Sequence, residues 1–334
     1  MWETLGRTVV LGAEEGSRVE KASKLVRTGI VGALAMLASG LTAVFACNKV
    51  ALSRETKLLE QPLGAMVEVD GRKMCVYVQG EGTRTLVFLS GSGTVSPILD
   101  FKGLYSLLSG DFRVVVIERF GYGFSDVVST ERSFGTVLRQ DRQALAKLGV
   151  EGPHVLCPHS MSGLEAILWA QRHQAEVEAI AGLDMALPRC YDDFDFGSVQ
   201  RLGRLADIGR KAGVVRLLYS GAALPQGLSR DERALYRAIA SRIAVNETVV
   251  NEGLAVPAAC AAIDAAGKPD VPTLLFVSDG SQVRAKDWAR LQHEYVAGLS
   301  NSRVIELGCG HYVHNFEQER IAAEMRAFVG AVGR

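Results

Sequence analysis

The chain has 334 residues, 48% of them apolar, and its 37 basic and 37 acidic side chains cancel at neutral pH. That length suits one large α/β domain with additions and a sizeable core. Balanced charge excludes the clustered positive excess by which a protein grips a phosphate backbone, so no nucleic-acid partner is expected. The cysteines (Cys47, Cys75, Cys157, Cys190, Cys260 and Cys309) lie far apart with no CxxC pair. Buried thiols account for them, and neither a zinc site nor another cofactor is expected.

Residues 1–27 form an N-terminal segment that ends with Lys21, Lys24 and Arg27. Thr28–Cys47 then runs for 20 residues without a charge. As a helix this stretch is about 30 Å long, the thickness of a hydrocarbon core. It is read as a transmembrane anchor, 28–47, of a single-pass membrane protein. Lys49, Arg54 and Lys57 follow it, so basic residues flank both sides and the orientation stays open. A buried helix of a soluble domain and a cleaved signal peptide are the other readings, the 27-residue lead being long for a signal peptide. Residues 48–62 read as a polar connector.

Strand patterns begin near Ala65. AMVEVDG (65–71) alternates into an Asp-Gly turn, and KMCVYVQG (73–80) answers it as a hairpin. TLVFLS (85–90), RVVVIE (113–118), HVLCPH (154–159), VEAIAGLD (177–184), PTLLFVS (272–278) and RVIEL (303–307) are apolar runs of the kind buried on both faces of a sheet. Between them Ile98–Leu108, Phe134–Leu148, Leu164–His173, Ala285–Ala297 and Phe316–Val332 follow a helical period. Such alternation implies a mainly parallel sheet covered on both faces. From Asp184 to Pro269 the pattern changes: Arg201–Tyr219, Arg230–Val245 and Thr248–Ala266 read as helices with no strand between them. The expected division is a core in two parts, 63–184 and 270–334, interrupted by a helical cap, 185–269.

The segment HVLCPHSMSGLEAILWA (154–170) carries the chemistry. A buried strand turns directly into a helix at Pro158-His159-Ser160-Met161-Ser162-Gly163. A turn this tight strains its apex residue and projects the apex side chain above the sheet. The apex here is Ser160, and the following helix directs its positive end at the same place.

This turn resembles the G-x-S-x-G nucleophile elbow of the α/β-hydrolase family, with Pro158 and Ser162 at the two glycine positions. The resemblance covers about 270 residues. It implies an α/β-hydrolase fold with a mostly parallel central sheet, a helical cap and, here, an N-terminal transmembrane helix. VFLSGSGTVSP (87–97) stands where the family carries its oxyanion loop. By that resemblance the backbone N–H groups of Ser92 and Met161 are the oxyanion donors. ERFGYGFSD (118–126) is similar to the family's D-x-x-G-x-G-x-S segment, with Glu118 in a structural role. His311, in ELGCGHYVHNF, matches the catalytic histidine that the family places after its last strand. Among the other histidines, His154 is read as structural, His173 and His293 as solvated, and His159 as pointing away from Ser160. A nucleophilic Cys309 is the weaker alternative, because nothing like an elbow surrounds it.

Two positions compete for the triad acid. GLDMALP (182–188) resembles the G-L-D-P-A segment of the family's lipase branch, which makes Asp184 the favoured acid. In the commoner location, the loop after the penultimate strand, the family's aspartate position holds Ser281, with Asp279 two residues early. The expected reaction is acyl transfer to water: Ser160 attacks an ester carbonyl, His311 moves the proton and Asp184 orients His311. An amide or an amino-terminal prolyl peptide is the second choice of bond. Serine at the elbow argues against the dehalogenase and epoxide-hydrolase branches, which carry aspartate there. The expected partners are a small-molecule or lipid-like ester and the membrane. A membrane-tethered binding protein without turnover is the reading from another class.

Overall fold

The computed structural model describes residues 2–219 and 224–332. The chain divides into two compact units, Met1–Ala51 and Leu52–Arg334. A helix spans Trp2–Leu59. In the first unit its apolar side chains, among them Ile30, Leu34, Leu37 and Leu41, are exposed. The stretch Val26–Leu59 is long and apolar enough to cross a membrane. Residues 48–62, expected as a connector, are helical as far as Leu59. Ala51, Leu52, Glu55, Lys57 and Leu58 are good helix formers, and the first strong breaker is Pro62.

The second unit is built on one eight-stranded sheet in the order β1-β2-β4-β3-β5-β6-β7-β8. Its strands are β1 (Ala65–Val69), β2 (Arg72–Gln79), β3 (Thr85–Leu89), β4 (Arg113–Glu118), β5 (His154–Pro158), β6 (Val177–Leu183), β7 (Thr273–Val277) and β8 (Arg303–Glu306). The β1–β2 hairpin and the β2–β4 pair are antiparallel, and the remaining pairs are parallel. Side chains alternate between two apolar layers. Val87, Val115, Leu156, Ile180 and Leu275 face the layer shared with the helices Phe134–Lys147, Ser162–Arg172 and Trp288–Val296. Leu86, Phe88, Val114, Val155 and Phe276 face the layer shared with Lys102–Leu108 and Gln318–Ala331. Burial on both faces is why these strands read as continuous apolar runs.

Between β6 and β7 the described residues hold the helices Phe196–Ala212, Val215–Leu218, Arg230–Ile243 and Glu247–Ala266. Local chemistry fixes two of their starts. Ser229 and Glu232 form a reciprocal capping box, and Asn246 accepts from the N–H groups of Thr248 and Val249. Leu235, Tyr236 and Ile239 pack on Val95 and Leu99, which follow β3.

A buried ionic network ties this insertion to the sheet. The Arg119 guanidinium donates to Ser90 O at 2.8 Å and to the Glu252 carboxylate at 3.1 Å. Arg132 donates to Glu252 at 2.9 Å, and the Tyr122 hydroxyl donates to it at 2.7 Å. Glu165, on the helix that follows β5, stands 3.7 Å from Arg119. All five side chains are buried. Burial raises Asp141 well above the ordinary carboxylate range, with the neighbouring Glu165 adding to it; burial likewise raises Glu165, against the pull of Arg119. Both shifts favour the neutral form of a carboxyl in this pair, beside the two guanidiniums.

Glu252→Ala strips two buried guanidiniums of their counter-charge, so denaturant unfolding should show a loss of about 3–5 kcal/mol. Asp141 makes the opposite, pH-dependent prediction. A carboxyl whose folded pKa is raised contributes its full stability below its unfolded value, about 4, and loses it as pH climbs through the folded value. Asp141→Asn should therefore gain Tm relative to the parent as pH rises, with the gap smallest near pH 4. A gap that stays constant from pH 4 to pH 8 would count against the raised Asp141 carboxyl.

Candidate active site

Ser160 sits at the end of β5 with φ +54°, in the left-handed region that a non-glycine residue enters at a cost of about 1–3 kcal/mol. The surrounding turn over-determines it. His159 N–H donates to Leu89 O at 2.9 Å and carries the strand course past Pro158. The Ser162 hydroxyl donates to Leu89 O at 2.7 Å and lies 2.9 Å from His159 O. Serine thus replaces the expected second glycine with a buried side chain that stitches the turn to β3. Gly163 permits close packing, because a Cβ there would lie 2.3 Å from Ala186 O.

Three of the residues singled out from sequence meet above the sheet. Ser160 Oγ is 2.9 Å from His311 Nε2, and His311 Nδ1 is 2.6 Å from Asp184 Oδ2. Asp184 follows β6 directly, is fully buried and has φ +50°. Its second oxygen, Oδ1, accepts from Ser278 N–H and from Trp288 Nε1–H, each at 2.7 Å. Both oxygens of that carboxylate are therefore engaged, and His311 Nδ1 meets a carboxylate held in one orientation. Asp279 takes no part in this contact. It accepts from Ser281 N–H in its own exposed turn, and the Ser281 side chain, followed by that N–H, holds its carboxyl below the usual range.

The loop after β3 approaches the serine through glycine. A Cβ on Gly91 would lie 2.7 Å from Ser160 Cβ, so no larger residue lets the backbone come this near. Ser92 follows, and its N–H and that of Met161 have no acceptor among the described residues. Ser90, just before this glycine, is the residue held by Arg119.

Sequence reasoning missed four supports. His159 lies buried beneath His311, with ring centroids 4.7 Å apart. Burial, followed by its two neighbouring imidazoles, holds its pKa well below the usual value, so it is neutral. Its Nε2 stands 3.2 Å from His311 O and donates to it. Gln282 Oε1 accepts from His311 N–H at 3.1 Å. Trp288 and Ser278 hold Asp184 as described. None of these pairings has a local signature, since each joins residues from separate loops. His314, beside His311 in sequence, bonds Asp100 instead, at 2.8 Å. Glu118 is a structural staple: it accepts from Ser96 Oγ at 2.8 Å and from Phe124 N–H at 2.7 Å. Burial pushes the Cys309 thiol up to about 11, so it is protonated at neutral pH, which removes the nucleophilic form of cysteine.

Residues 86–324 match the model of the alpha/beta hydrolase family. The chain is 33% identical over 312 residues to the uncharacterized protein YbdG of Bacillus subtilis, a match that covers 90% of this chain and 95% of that protein. Among solved structures it is similar to haloalkane dehalogenase DbeA from Bradyrhizobium elkani, with a TM-score of 0.62 and 22% identity over 80% of this chain and 97% of that one. It is also similar to the enol-lactonase from Burkholderia xenovorans, with a TM-score of 0.59 and 17% identity over 80% of this chain and all of that one. At these identities the two structures speak to fold alone, while the family match spans most of the sequence. The chain is a member of the alpha/beta hydrolase family.

Proposed function

We propose that this protein is a serine hydrolase that cleaves a carboxylic ester through an acyl-enzyme, with a helical cap over its active site and a single-pass N-terminal anchor in a membrane. The observation that carries the reading is the continuous chain of contacts from Ser160 Oγ through His311 to the buried Asp184 carboxylate. In this mechanism His311 Nε2 takes the Ser160 proton as Oγ attacks the carbonyl carbon. Asp184 stabilises the imidazolium that results. The oxygen that becomes negative is received by the N–H groups of Ser92 and Met161, the positive end of the Ser162–Arg172 helix lying behind them. His311 then protonates the leaving alkoxide. In the second half it activates the water that releases the acid and frees Ser160.

An oxygen nucleophile flanked by an imidazole suits acyl transfer, in which a tetrahedral oxyanion must be stabilised. An ester needs less leaving-group assistance than an amide, which makes it the first choice of bond. The apolar stretch Val26–Leu59 supports the anchor and with it access to a lipid-like ester. Such a segment can also serve as a signal sequence, and the size of the mature protein in a membrane fraction separates the two.

A fluorophosphonate probe should label the wild-type protein and leave Ser160→Ala unlabelled; equal labelling of both sinks the reading. On any ester the protein turns over, Asp184→Asn should lower kcat by about 10³–10⁴, since the imidazole loses both its orientation and its counter-charge. Asp279→Asn should leave kcat within about twofold, as expected of an exposed substitution away from the reacting groups. The reverse ranking would make Asp279 the acid.

A further inference from the structure

A cavity of about 290 Å³ opens next to His311, between the loop after β3 and the helical insertion. Gly93 and Thr94, just past Ser92, form one wall; Gln282 and Tyr312, which hold and follow His311, form another. Asp100, Asn315, Gln226 and three tyrosines, Tyr219, Tyr236 and Tyr312, add to the polar lining. Among the described residues no lysine or arginine lines it, so Asp100 is its charged group.

Asp100 Oδ2 accepts from His314 Nε2–H at 2.8 Å, while Oδ1 has no partner among the described residues. His314 is buried and its Nδ1 has no partner among the described residues. The charge is felt across the cavity. Burial first and the Asp100 carboxylate second raise Tyr219 and Tyr236, and the same two causes raise Tyr312. The rings of Tyr219 and Tyr236 stand 5.9 Å apart at 49°. Asn315 Oδ1, also buried on this wall, accepts nothing. The cavity thus offers one carboxyl group, an idle amide oxygen, three aromatic rings and, among the described residues, no cationic side chain.

We propose that this cavity is a subsite for an organic ammonium group of the substrate, with Asp100 as its counter-charge and Tyr219, Tyr236 and Tyr312 as its aromatic walls. The proposal deepens the hydrolase reading and rests on it, since the ammonium is what would hold the scissile carbonyl over Ser160. Aromatic faces and a carboxylate both attract a desolvated cation. A carboxylate-bearing substrate would meet repulsion from Asp100 here and no cationic side chain among the described lining residues. The ammonium subsite also gives the buried Asp100–His314 pair a use that the Ser160–His311–Asp184 array does not.

The test is calorimetry on the full-length protein in detergent, carrying Ser160→Ala so that no turnover intrudes. The probes are choline and 3,3-dimethyl-1-butanol, which have the same shape with and without the charge. Choline should bind at least tenfold more tightly than the alcohol. Asp100→Asn should bring the two affinities within about twofold of each other. Should that variant fail to fold, Tyr219→Leu, on a half-buried wall residue, should weaken choline about fivefold or more and the alcohol less. Equal affinity for the two probes in the parent, or no saturable choline binding, overturns the subsite. Choline selectivity together with absent fluorophosphonate labelling of Ser160 upholds the subsite and overturns the hydrolase reading, so the two can fail separately.

Discussion

The left-handed backbone of Ser160 is the constraint on which the rest of the site depends. A serine held at φ +54° has its side chain lifted off the strand and into the space where three loops converge. Relaxation to an ordinary backbone angle would take Oγ away from His311. The chain resists that relaxation with contacts from both neighbouring strands. Ser162 bonds back to Leu89 at the end of β3, and Ala186 N–H, just past β6, donates to Ser160 O at 2.7 Å. Asp184 repeats the device, with its own left-handed backbone at the next strand end. Two strained residues thus sit at the ends of adjacent strands, Ser160 braced by the segment that carries Asp184 and Asp184 braced by β7, where its N–H donates to Phe276 O at 2.7 Å.

Beneath them lies a second constraint of a different kind. The Arg119–Glu252 contact joins the strand end that precedes Gly91 to a helix of the insertion. Burying such charges gains little net stability over an apolar core. Its effect is on geometry: the guanidinium fork has few ways to satisfy a carbonyl and a carboxylate together, so the loop after β3 and the helix Glu247–Ala266 are fixed with respect to each other. Gly93 and Thr94, which line the cavity beside Asp100, lie in the loop fixed in this way.

The strands were legible in sequence because burial on both faces leaves unbroken apolar runs, and their ends fall within a residue or two of the expected positions. The elbow was legible because its chemistry is local: strand, turn and helix occupy consecutive residues around Ser160. Asp184 could be singled out for the same reason, as a carboxylate at a strand end. The helical course through 48–59 was obscured because charged residues suit an exposed helix as well as a linker, and only the distance to Pro62 separates the two. The support that His159 gives was hidden because it depends on a carbonyl 152 residues later. The Asp100–His314 pair was invisible for a similar reason, with 214 residues between its members. Local pattern reveals elements and turns, whereas partners brought together by the closing of a sheet leave no mark on either neighbourhood.

The distances along the chain at the Ser160–His311–Asp184 array have a kinetic meaning. Ser160 and His311 are 151 residues apart, and Asp184 and His311 are 127 apart, with the whole helical insertion synthesised between them. Contacts of such long range form late, because the loops they close cost entropy that only the finished sheet repays. During synthesis the serine and its elbow emerge well before β8 and the loop that bears the histidine, and a chain halted anywhere from Ser160 to Gly310 contains the hydroxyl without its base. The reactive centre is thereby incomplete until the last strand and its loop have been added, and a truncated chain carries the serine without the group that would activate it.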